Sequence, residues 1–124
     1  MFMLLWIAAG FLAIVFITTG LFKLSQSQDE LYAAGQEWIY DFPAWSVKLL
    51  GALELLAVAG LIIPPAAGFA PVLAPVSAVG IVLMMVGASI VHLRRGEWVM
   101  IGVNGWLAVV ALFVAWGRFG PYAF

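Results

Sequence analysis

Long apolar runs, broken by two polar segments, set the pattern of this chain. The first run extends from Met3 to Phe22 without a charge. Its only polar side chains, Thr18 and Thr19, lie near the far end, and Lys23 closes it. Further runs follow from Ala44 to Ile63, Phe69 to His92 and Val99 to Trp116. A helix crosses hydrocarbon with about 20 apolar residues, so the pattern predicts four spans, about 3–22, 44–63, 69–92 and 99–116. The connections after the second and third spans are too short for anything but antiparallel hairpins. The expected architecture is all-α: an integral membrane antiparallel four-transmembrane-helix bundle, one domain over residues 1–124, multi-pass, with both termini on the same side.

Local signals refine the ends. Pro43 suits the start of the second span. Pro64-Pro65 is expected to stop it, and Gly68 marks the turn. Pro71 suits a helix start, whereas Pro75 is expected to bend the third span. Ser77, Gly80, Met84, Gly87 and Ala88 form a small-residue stripe suited to close helix packing. No Lys or Arg precedes the first run, which also exceeds the ~7–15 residues of a signal-peptide core. It reads as a retained helix.

Composition agrees. Of 124 residues, 66% are hydrophobic and 9% charged, against about 25% charged in globular domains, and the mean hydropathy is +1.16. The absence of Cys excludes disulfides, a thiol relay, Cys-ligated zinc and haem attached through C-x-x-C-H. A single His argues against a metal site. A net charge of −1 without a basic tract argues against nucleic acid as a partner. No phosphate loop, Ser/His/Asp set or other self-contained catalytic group is present.

Polar residues inside the spans therefore carry the functional question. Glu54 is the one charge within an apolar stretch, Leu49 to Pro65, where a carboxylate costs roughly 2.5–3.5 kcal/mol. It lies roughly 10 Å deep at ~1.5 Å per residue. Lys23 is either its partner or an interfacial anchor whose ammonium snorkels to water; Lys48 reads as such an anchor. Ser89 and His92 end the third span, and Asn104 lies under two turns into the fourth. All five of Lys23, Glu54, Ser89, His92 and Asn104 fall in the half of the bundle near the two polar segments. They are expected to form one intramembrane polar pocket. The larger polar segment, 24–43, holds four acids (Asp29, Glu30, Glu37, Asp41) and several aromatics. Asp29-Glu30-Leu31 is expected to open a short helix. The segment either packs on the mouth of the bundle or stands as a solvated loop.

Three places resemble the DoxX-like family of small four-helix membrane proteins. Gly20-Leu21-Phe22-Lys23-Leu24 is like its G-x-x-K-L. Gly51-x-x-Glu54-Leu55 with Pro64 is like its G-x-x-E-L…P, and His92 with Gly96-Glu97 is like its H-x-x-x-G-[DE]. Asn104 also fits. The resemblance implies an integral protein of the bacterial cytoplasmic membrane. Family members have been linked to quinone-coupled sulfur oxidation and to a membrane oxidoreductase complex. The fold is similar to that of the vitamin K epoxide reductases, whose Cys pairs this chain lacks, so any redox role requires a bound quinone or a partner's centre. The positive-inside rule places the polar segments in the cytoplasm. The resemblance places the first of them outside, and this is preferred because the pocket candidates distort the Lys/Arg count.

Three functions remain open. The first is an accessory or assembly subunit of a membrane complex, in which Lys23–Glu54 fixes helix register and other membrane subunits are partners. The second is a quinone- or lipid-binding subunit of a redox complex, with quinone as the possible cofactor and membrane lipid as partner. The third is a small proton-coupled exporter.

Overall fold

The computed structural model describes residues 1–124. Four long helices, α1 (Phe2–Ser25), α3 (Ala44–Ala67), α4 (Leu73–Arg95) and α5 (Trp98–Phe119), form the bundle. A short helix, α2 (Gln28–Ala33), and a 3-10 turn (Glu37–Asp41) occupy the larger polar segment. Each long helix packs on its neighbours in sequence, and α5 returns against α1, so α1–α3–α4–α5 close a square. Leu12, Phe16, Val58, Leu61, Ile81, Leu107 and Val114 fill its centre. Only 27 of 124 residues are buried. All four long helices are long and apolar enough to span a membrane. Their exposed outer faces carry Ile7, Ile14, Leu56, Leu83 and Leu112. Such a surface requires hydrocarbon around it. The protein is an integral membrane protein.

Pro64 and Pro65 do not stop the second span. They lie in the last turn of α3, which continues to Ala67 and ends at Gly68 in the left-handed region, φ 78°. The Gly68 and Phe69 amides both donate to the Pro64 carbonyl, so the αL cap turns the chain rather than the prolines. The third long helix correspondingly starts at Leu73, not Phe69. Pro75 then falls in a first turn, where its missing N–H removes no helical hydrogen bond, and the expected bend loses its cause. The small-residue stripe packs closely at one place, where Ser77 sits against Gly60; nothing stands within 4 Å of a Cβ added at Gly80 or Gly87.

The polar segment is a folded cap. Ser27 and Glu30 form a reciprocal capping box that starts α2, and Gly35, at φ 101°, ends it. Leu31, Ile39 and Val47 make a small second core beneath it. Gln28 donates to the carbonyls of Ile39 and Phe42, and Tyr40 donates to Asp29. Arg95, at the end of α4, reaches Asp41 at 2.8 Å and Glu37 at 3.9 Å. The Lys48 ammonium donates to the Lys23, Leu24 and Gln26 carbonyls at 2.9, 3.1 and 2.6 Å, satisfying the end of α1.

Candidate functional site

The site is built where α1 and α3 approach most closely. A Cβ on Gly51 would stand 2.9 Å from the Gly20 carbonyl oxygen. This contact brings the neighbouring turns into register, and Lys23 Nζ reaches Glu54 Oε1 at 3.1 Å and Oε2 at 3.4 Å. Thr19, one turn before Lys23 on the same face, donates to Glu54 Oε2 at 3.2 Å. Glu54 is only 3% exposed. The carboxylate is thus held by two donors from one helix, as a buried charge requires.

Beside this pair lies a cavity of about 550 Å³, lined by residues of all four long helices and roofed by Gln36, Trp38 and Phe42 of the cap. Lys23, Thr19, Glu54, His92 and Asn104 supply much of its polar lining; the rest is mainly apolar. Four of the five residues singled out from the sequence therefore face one cavity. Ser89 does not. It is half-buried and outside the lining, because the arc of α4 that faces the cavity runs through Met84, Gly87, Ala88 and Val91 to His92 and ends before Ser89.

Asn104 is 6% exposed, and its Nδ2 is buried without a hydrogen-bond partner. Such a donor costs about 1–3 kcal/mol when left unmade. His92, also 6% exposed, is held from outside the cavity. α4 ends in a Schellman motif: Gly96 is left-handed at φ 69°, its amide donates to the Leu93 carbonyl, and the Glu97 amide donates to the His92 carbonyl. This motif folds the residue after the glycine back over the last helical turn. Glu97 Oε1 consequently sits 2.8 Å from His92 Nδ1 and 3.3 Å from Arg95 Nε.

The cavity also opens sideways. α3 and α4 close on each other at Gly60 and Ser77. Seven residues away along each helix, on the same faces, Leu53 and Met84 line the cavity instead, with Leu49 and Gly87 beyond them. Leu49, Leu53 and Gly87 are exposed as well, so the seam that is shut at one end is open at the other, toward the bilayer. A smaller cavity of about 270 Å³ under the cap shares Thr19, Lys23, Gln36 and Trp38 with the first.

Five residues at the site were not among the pocket candidates read from the sequence: Thr19, Glu97, Gln36, Trp38 and Phe42. Thr19 had a signal, its helical spacing to Lys23. Glu97 had one in the glycine before it, since a left-handed residue reverses the chain. Of the cap residues, Trp38 and Phe42 had only their aromatic character and Gln36 had none.

Four apolar spanning helices with one off-centre polar layer define a small polytopic membrane protein of the four-helix class. The chain belongs to the DoxX-like family, whose model matches residues 7–114. That match includes every residue of the polar layer. No curated protein and no solved structure matches the chain.

Proposed function

We propose that the protein is an accessory subunit of the bacterial cytoplasmic membrane that binds an amphiphile of the quinone or lipid class, polar head against Asn104 and His92 and tail along the α3–α4 opening. The observation that carries this reading is Asn104, a lining residue of the cavity of about 550 Å³, whose buried Nδ2 has no partner. Stability alone disfavours such a donor, and a ligand acceptor would satisfy it. The apolar lining and the opening toward lipid match a hydrophobic tail. Intramembrane ionisable groups lining a cavity are by default functional.

Native mass spectrometry after gentle extraction tests this. The expected result is one quinone or lipid per chain, absent from the Asn104→Leu protein. A wild-type protein that carries nothing, and takes up neither added quinone nor added lipid, overturns the reading.

A second reading rests on the Gly20–Gly51 contact beside the ion pair. There the pair sets the register of α1 and α3, and the protein acts in assembly. A stoichiometric protein partner without any small molecule would favour it.

A further inference from the structure

We infer that the cavity selects a hydroxyl head group, of the phenol, hydroquinone or alcohol kind, over a carbonyl or ether, and that Glu97 is the positioning residue that makes it do so. This deepens the binding reading proposed above and rests on it.

Glu97 Oε1 is shared by the Arg95 guanidinium at 3.3 Å and His92 Nδ1 at 2.8 Å. Arg95 has only donors to offer. A carboxylate facing it is ionised and can only accept. His92 Nδ1 must therefore carry the ring hydrogen in this contact. In the neutral imidazole the other nitrogen, Nε2, is then a bare lone pair. No side chain of the protein donates to Nε2, and His92 lines the cavity. That vacancy asks for a donor.

A hydroxyl fills it by donating its hydrogen to His92 Nε2. A carbonyl or ether oxygen has no hydrogen to give and leaves the imidazole lone pair desolvated. The other charged groups at the cavity, Lys23 and Glu54, pair with each other.

The inference has two tests. The chain contains one His, so imidazole nitrogen-15 labelling gives a single, assignable ring. In the ligand-free protein at alkaline pH, the hydrogen is expected on Nδ1. A ring carrying it on Nε2 overturns the inference whether or not any ligand binds.

Binding is then compared in nanodiscs for para-nonylphenol and its methyl ether, which differ only in the hydroxyl hydrogen. The phenol should bind about tenfold or more tighter. Glu97→Ala, which leaves the ring free to reverse, should bring the two within about twofold. Glu97→Gln, whose carbonyl can accept the same Nδ1 hydrogen, should keep the preference. Equal binding by the wild type, or tighter binding of the ether, overturns the inference and leaves the binding reading standing. Failure of the wild type to bind either probe overturns the inference. Uptake of quinone or lipid in the mass spectrometry experiment reports on the broader reading separately.

Discussion

The Lys23 ammonium meets the Glu54 carboxylate at 3.1 Å, beside the point where the backbones of α1 and α3 touch at Gly20 and Gly51. The two helices run antiparallel, so the G-x-x-K of one and the G-x-x-E of the other cross. Lys23 stands level with Gly51, its Cβ 3.0 Å from where a Cβ on that glycine would sit. Close approach and charge pairing are thus one arrangement.

Removing one member of the pair should be costly. Lys23→Met leaves Glu54 buried without its counter-ion, and a loss of about 3–5 kcal/mol is expected. The double variant Lys23→Met/Glu54→Leu should recover most of it, because neither charge is then desolvated. Thermal unfolding of the four proteins of this cycle, in one detergent, checks the prediction. Equal losses in the single and double variants would refute it.

Asn104→Leu should behave in the opposite way. It removes a buried donor that the empty protein leaves unpaired, so the ligand-free protein should gain about 1–3 kcal/mol. The same change should abolish retention of the amphiphile. A variant that is both less stable and still loaded would mean that the amide serves packing. Parallel melting curves and ligand analysis distinguish the cases.

Gly51→Ala should separate α1 from α3. The new Cβ would lie 2.9 Å from the Gly20 carbonyl oxygen, 3.0 Å from Lys23 Cβ and 3.2 Å from Leu24 Cγ. A helix carbonyl cannot rotate away, and overpacking of this kind costs about 1–3 kcal/mol. Gly10→Ala, inside α1 with nothing within 4 Å, meets no clash, should gain up to about 1 kcal/mol of helix propensity, and serves as the control.

Arg95→Gln should loosen the cap without unfolding the bundle. Arg95 reaches Asp41 and Glu37 at the aqueous surface, where solvent screens such pairs and they add little to stability. Global stability should therefore stay close to that of the wild type. Hydrogen exchange in Gln28–Phe42 should accelerate, and high salt should reproduce part of the effect in the wild type. Unchanged exchange would show that the Leu31–Ile39–Val47 core alone holds the cap.

Arg118 closes the opposite end. It is 4% exposed, donates to the Tyr122 carbonyl at 3.0 Å, and stands 3.8 Å from the Phe124 ring centroid, with Phe2 and Trp6 also around it. The planar guanidinium stacks where an ammonium cannot. Arg118→Lys should therefore lower the melting temperature more than Arg118→Met, which fills the space without a charge. The reverse order in thermal scans would show that the charge itself is needed.

Much of this protein follows from its linear pattern. Hydropathy along a chain is a one-dimensional quantity, and membrane depth is too. The four spans, their antiparallel order and the common depth of Lys23, Glu54, His92 and Asn104 were legible for that reason. Rotation about each helix axis was not, because the helices are apolar nearly all round and the pattern names no inward face. Tertiary packing decided that Asn104 turns into the cavity while Ser89 does not. It also decided that the seam closed at Gly60–Ser77 opens at Leu53–Met84. Local backbone geometry decided the rest. Pro64 and Pro65 continue a helix that an αL glycine ends, and the Schellman turn at Gly96 sets Glu97 against His92. Arg118 is buried because both chain ends wrap it with aromatic rings, a contact between residues more than a hundred positions apart.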